Sequence, residues 1–136
     1  MQLNQATDYA FRVVLHFSKL AADTVVRGQT LAEKENIPAR FLLKIMRSLT
    51  QGGIIRSYRG VVGGYALAKL PADISLYDVI EALEGPINIH RCLAGPERCN
   101  RLNGGQCRVH YALAGVQNSL VEDLRKISFE MLAREE

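Results

Sequence analysis

Hydrophobic positions in the first part of the chain recur at helical spacing. Leu3, Ala6, Ala10, Val13, Val14, Phe17 and Ala21 form one stripe, which predicts a first helix from Leu3 onward. Asp23 to Gln29 breaks the period. Thr30-Leu31-Ala32-Glu33 then reads as a capping box, in which Thr30 and Glu33 satisfy orphan amides at a helix start, and a short second helix ends near Asn36. Pro38 suits the first turn of a third helix, because its missing N–H costs nothing there. Phe41, Leu42, Ile45, Met46 and Leu49 line one face of that helix, and Gly52-Gly53 ends it.

The opposite face of the third helix carries Arg40, Lys44, Arg47, Ser48 and Gln51, while Ala39 is small enough to let the helix start approach a groove. A polar, basic face on a helix that follows a short helix after a tight turn is the helix-turn-helix arrangement. Next, Ile54 to Arg59 and Tyr65 to Ala68 read as two short strands around the glycine-containing turn Gly60-Val61-Val62-Gly63-Gly64, a β-hairpin wing. Arg56 and Arg59 flank its tip, within reach of phosphates or a minor groove.

After Pro71, Ser75-Leu76-Tyr77-Asp78 offers a second capping pattern, with Leu76, Val79, Ile80 and Leu83 as the buried stripe of a fourth helix that stops at Gly85-Pro86. Residues 86–106 have no clear period, and a loop of that length in a compact chain carries function or disorder. From about Cys107 to Ala133, Leu113, Val116, Leu120, Leu124, Ile127 and Met131 predict one long final helix. A small winged domain has little room to bury that stripe, so it is expected to face a second copy, with packing back on the first helix as the alternative. The fold expected is mainly α with a small β-hairpin wing: a winged helix-turn-helix over 1–85, a cysteine-containing sensor loop over 86–106 and a dimerisation helix over 107–136, in one folding unit.

Charge sharpens this division. Residues 1–71 hold ten Lys or Arg against four Asp or Glu, whereas residues 72–136 hold seven against ten. The front half suits a polyanion and the back half does not. Ala39, Arg40, Lys44 and Arg47 are the candidates for the major groove, and Arg56 and Arg59 for the backbone or minor groove. No apolar run reaches the roughly 18 residues of a membrane span, and Met1-Gln2-Leu3-Asn4 lacks a signal-peptide layout, so a cytoplasmic protein without a membrane partner is expected.

All three cysteines, Cys92, Cys99 and Cys107, fall in the aperiodic stretch or at its end. Their spacing contains no C-x-x-C pair, which disfavours zinc, although His110 beyond Cys107 would complete a three-cysteine, one-histidine shell. An odd count argues against a disulfide framework. Arg91, Arg98, Arg101 and Arg108 each lie within two residues of a cysteine, a cationic setting that stabilises thiolates. An enzyme with one of these thiols as nucleophile and His90 or His110 as base is not expected, since no third group is positioned to orient the base. His16, on the first helix, reads as a core-edge histidine.

In this order, Ile37-Pro38, the wing Arg59-Gly60-Val61-Val62-Gly63-Gly64-Tyr65-Ala66-Leu67-Ala68, Asp78-Val79-Ile80-Glu81-Ala82-Leu83-Glu84-Gly85 and the spaced cysteines resemble the Rrf-type family of bacterial winged-helix regulators, which includes IscR, NsrR and RirA. The resemblance covers essentially the whole chain. It implies a homodimer on a roughly palindromic double-stranded DNA operator, acting as a repressor, with Cys92, Cys99 and Cys107 holding an iron-sulfur cluster that senses nitric oxide, redox state or iron. Two residues compete for the fourth ligand. Thr7-Asp8-Tyr9 resembles the NsrR pattern, in which the acid of one subunit completes a 4Fe-4S cluster held by the other, and this is the favoured reading. His110 resembles the IscR arrangement holding a 2Fe-2S cluster. For Asp8 the bland reading is an ion pair with Arg12 one turn on. The functional alternative is a cluster-free regulator of the same fold, acting through cysteine oxidation or through a protein or small-molecule partner.

Overall fold

A computed structural model of the chain describes residues 2–95 and 107–135. Helix α1 (Gln5–Ser18) opens at Asn4, whose side chain accepts the Thr7 N–H at 2.9 Å and satisfies one of the amides a helix start leaves unpaired. Its buried face is the expected stripe, Ala10, Val13, Val14 and Phe17. Leu3 and Ala21, the ends of that stripe, fall outside the helix and are exposed.

Helix α2 (Gly28–Glu35) starts two residues before the expected capping box. Its N-cap is Arg27, with no side-chain cap, so Thr30 lies inside the helix. The cause is tertiary. Val26 and Tyr65 exchange two backbone hydrogen bonds of 2.8 Å, which hold the chain extended up to Val26 and let the helix begin directly after. Gly28 packs under the Tyr65 ring, where a β-carbon would sit 3.4 Å from it. At the other end Asn36 takes the left-handed conformation (φ 53°, ψ 51°), which turns the chain sharply. Ile37 is buried beneath the turn, and Pro38 occupies the N-cap of α3 (Ala39–Gln51), one position earlier than expected.

The wing is an antiparallel pair, β1 (Ile55–Tyr58) and β2 (Gly64–Leu67), with Ile55 opposite Leu67 and Tyr58 opposite Gly64. A short 3-10 turn, Pro71–Asp73, leads to α4 (Leu76–Glu84). Here the expected capping box is present in both halves, the Asp78 N–H to Ser75 at 3.2 Å and the Ser75 N–H to Asp78 at 2.9 Å. Of the predicted stripe, Val79 and Ile80 are buried, whereas Leu76 and Leu83 are half-buried and Tyr77 takes an inner place. Burial and then the neighbouring Glu81 push the Tyr77 phenol up from its usual value, opposed by the Arg125 guanidinium, which lies 4.1 Å from the ring centroid.

The expected single final helix is two helices. α6 (Arg108–Lys126) ends at Ile127, which is extended, and α7 (Phe129–Arg134) restarts behind the Ser128 N-cap. A short α5 (Arg91–Ala94) precedes them. The break arises because Ile127 O accepts the Leu76 N–H at 3.0 Å and the Phe129 N–H donates to Ile74 O at 2.9 Å. Phe129 thereby enters the main core beside Val13, Ile45, Leu49 and Ile74. α6 spends Leu120, Val121 and Leu124 on a second cluster with Tyr77, Ile80 and Ile87, so its inner packing is on α4, while α7 rather than α6 packs on α1. Val109, Tyr111 and Val116 remain exposed on α6. Among the described residues, no helix is long and apolar enough to cross a membrane.

This division of the C-terminal region predicts that Phe129→Ala lowers stability by about 3–5 kcal/mol in denaturant unfolding. Met131→Ala, at a position expected in the stripe but 48% exposed, changes it by less than about 1 kcal/mol. One continuous amphipathic helix would give the reverse order.

Candidate DNA interface and cysteine site

Burial of Leu42, Ile45, Met46 and Leu49 fixes which way α3 faces. Helical periodicity then turns Arg40, Leu43, Lys44, Arg47 and Gln51 outward together, and each is exposed, as is Ala39 at the helix start. Leu43, 63% exposed in the middle of this basic face, was not among the expected contacts. Its signal was present: it falls outside the 42-45-46-49 arc and three residues after Arg40. Phe41, expected on the buried face, is instead exposed at the edge of the arc, with the Arg40 guanidinium 5.2 Å from its ring centroid.

On the wing, Arg56 extends from β1 and Arg59 begins the connecting loop, both exposed. Among the described residues, Arg40, Lys44, Arg47, Arg56 and Arg59 take part in no ion pair. Five cations thus lie on the recognition helix and the wing without an acidic partner. The Arg27 guanidinium holds the wing from behind by donating to the carbonyl of Val61 at 2.5 Å.

The cysteine site begins where α4 stops. Gly85 caps α4 with a positive φ of 79°, which favours glycine, and Ile87 anchors the following segment in the second core cluster. The Ile89 N–H donates to the Gln117 side chain at 2.9 Å, which pins the segment to α6. His90 caps α5 by accepting the Cys92 N–H on Nδ1 at 3.3 Å. The Cys92 Sγ lies 3.2 Å from that Nδ1 and 3.4 Å from Nδ1 of His110 on α6. Among the described residues, no group of three or more His, Cys, Asp or Glu is arranged to hold a metal ion. His90, expected from sequence as a candidate base, lies in the same cluster of side chains as His110, and its place two residues before Cys92 is the sequence signal for it.

Cys107 stands half-buried at the N-cap of α6, with Arg108 following it. Cys99, Arg98 and Arg101 lie outside the described residues. Asp8 is exposed in the first turn of α1, and its carboxylate is bound by Arg12 at 2.9 Å. His16 is a core-edge residue, paired with Glu35 of α2 at 2.8 Å.

The family model described as Rrf2, iron-dependent transcriptional regulator, matches residues 3–135. The chain belongs to the Rrf2 family. An Aquifex aeolicus protein named as an HTH-type transcriptional regulator is 32% identical over 99 residues, 73% of this chain and 69% of that protein. A Mycobacterium tuberculosis protein named likewise is 36% identical over 87 residues, 64% of this chain and 54% of that protein, so the match spans about half of its length. Among solved structures, the global cysteine regulator CymR of B. subtilis superimposes with a TM-score of 0.78 at 21% identity, covering 100% of this chain and 98% of that one. T. potens IscR gives 0.74 at 23%, covering 100% and 89%. These structures share the winged-helix fold. Membership makes this Rrf2 chain a transcription regulator with a DNA-binding winged helix, and its named relatives are regulators rather than enzymes.

Affinity for DNA should accordingly fall steeply between low and moderate salt. Arg40→Ala or Lys44→Ala should each weaken binding and, where the side chain neutralises a phosphate, lower the slope of log K against log salt by about 1. Titrations that stay flat across this range would contradict the assigned face.

Proposed function

We propose that this Rrf2 protein is a homodimeric repressor of a roughly palindromic operator, whose DNA affinity is set by an iron-sulfur cluster bound at Cys92, Cys99 and Cys107. The observation that carries the reading is the meeting of Cys92 with His110 across α5 and α6, at 3.4 Å. A thiol and an imidazole from separate elements meet there, which supports a shared ligand. The iron-dependence in the family's description supports it further. The cluster, when bound, supplies iron that reacts with nitric oxide or oxygen.

For the fourth ligand, the packing supports His110, which already stands beside Cys92 within one protomer. Asp8 would first have to leave Arg12, and it would act on the cluster of the other protomer. The route from the site to the DNA-binding half is short. Gly85 follows Glu84 directly, and Glu84 accepts hydrogen bonds from the Thr7 hydroxyl and the Asn4 N–H at the start of α1. The exposed Val109 and Val116 of α6, seven residues apart on one side of the helix, supply an apolar strip for a second copy.

A cluster-free thiol regulator is the second reading. It is favoured by the two imidazole nitrogens that lie within hydrogen-bonding reach of the Cys92 Sγ. Anaerobic purification with visible absorption, iron and sulfide analysis separates the two: broad blue-end bands with stoichiometric iron and sulfide mark the cluster, and colourless protein the thiol sensor. His110→Ala is expected to lose or shift those bands and Asp8→Ala to keep them; the opposite pair of results would assign the fourth position to Asp8.

A further inference from the structure

The two most exposed large apolar side chains among the described residues are neighbours at the wing tip, Val61 at 87% and Val62 at 85%. A hairpin loop normally carries Gly, Asn, Asp or Pro, and β-branched residues there gain nothing from the turn itself. Their backbone is nonetheless held in place. The Gly63 N–H closes the loop onto Gly60 O at 2.9 Å, and Gly60 takes a positive φ of 101°. Gly63 has no room for a side chain, since a β-carbon would lie 2.7 Å from Tyr58 O and 2.8 Å from Gly60 O. The Arg27 bond to Val61 O braces the tip from the α2 side. The result is a fixed apolar point in the loop that Arg59 begins, on the same hairpin as Arg56, both of them exposed.

We propose that Val61 and Val62 form an apolar wedge that enters the DNA minor groove and partly opens one base step. Operator selectivity would then come from how easily the step beneath the wing is unstacked. The occupant follows from charge complementarity: Arg56 and Arg59, on the strand that leads into the loop and at the loop's start, suit phosphates, and the exposed valines that follow them match the apolar wedges of minor-groove binders. Such a contact favours a flexible pyrimidine–purine step, TA or CA/TG, over a stiff A-tract. The inference rests on the DNA-binding reading of the winged helix.

The test starts with duplexes selected from random sequence by the full-length wild-type protein, purified anaerobically. On a selected duplex, the step under the wing, located by footprinting, is changed between TA and AA. Wild type should prefer TA by on the order of tenfold, the usual cost of one unfavourable base-pair change. The double variant Val61→Ser, Val62→Ser should lose that preference while keeping the wild-type salt slope, because no phosphate contact is removed. A 2-aminopurine placed at the step should brighten on binding to wild type and not to the variant. A TA preference that survives in the variant overturns the wedge, as does a drop in the variant's salt slope. If selection with wild type enriches no duplex, it is the DNA-binding reading that fails, and the wedge with it. Both positions are exposed, and an unchanged unfolding midpoint for the double variant verifies that its fold is intact.

Discussion

Two backbone hydrogen bonds between the segment before α4 and the end of α6 hold the C-terminal half of the molecule to the DNA-binding half. Leu76 donates to Ile127 and Phe129 donates to Ile74, and between them Ser75 and Ser128 lie side by side. The pairing forces α6 to stop, drives the Phe129 ring into the core against Phe11, and so fixes where α6 begins its run back across α4. Helical rise places His110 roughly 24 Å from the anchored end of α6. Only a helix fixed at that end, and held again by Leu120, Leu124 and Gln117 along its length, brings that imidazole to Cys92 reproducibly.

The wing is governed by a comparable constraint. Tyr65 uses both of its backbone polar groups on Val26, so the hairpin is a part of the body of the domain, and the entry to α2 is set by the same contact. α3 is then placed by α2 through the tight left-handed turn at Asn36 and the buried Ile37. Recognition helix and wing therefore share one rigid support, which is what allows an exposed tip to be aimed rather than merely tethered.

Much of this was readable in the chain because local signals and tertiary packing agree. The α1 stripe, the Ser75–Asp78 capping box, the 42-45-46-49 arc of α3 and the two strands all appear where periodicity and cap chemistry put them. The displaced start of α2 and the break after α6 share a cause: each lies where a long-range contact overrides a local pattern. Thr30 and Glu33 satisfy the capping template, yet the Val26–Tyr65 pairing starts the helix earlier. Leu124, Ile127 and Met131 continue a helical period, yet backbone pairing to Ile74 and Leu76 breaks it at Ile127, and Phe129, off that stripe, becomes the core residue. Leu43 is marked in the sequence only by lying outside the 42-45-46-49 arc, three residues after Arg40. At the cysteine site, sequence separation hid His90 and His110 from one another; folding α5 onto α6 joined them at Cys92.

The junction between the two halves has chemistry suited to a change of state. Glu84 sits at the C-terminal end of α4, where the helix dipole disfavours a carboxylate, and it is offset by the Thr7 hydroxyl and the Asn4 N–H at the positive end of α1. Thr7 is fully buried, so losing Glu84 would ordinarily orphan a buried donor at a cost of about 1–3 kcal/mol. That cost is avoided, because the same hydroxyl also faces the Asn4 side-chain oxygen at 3.1 Å and has only one proton to give. Moving Gly85 can therefore shift Glu84 away from α1 without orphaning the Thr7 hydroxyl, at the loss of the exposed Asn4 N–H bond. A rearrangement at Cys92, eight residues beyond Glu84, reaches this junction only through the buried Ile87 and the Ile89–Gln117 bond, so those two anchors govern whether it is felt at the first helix of the DNA-binding half.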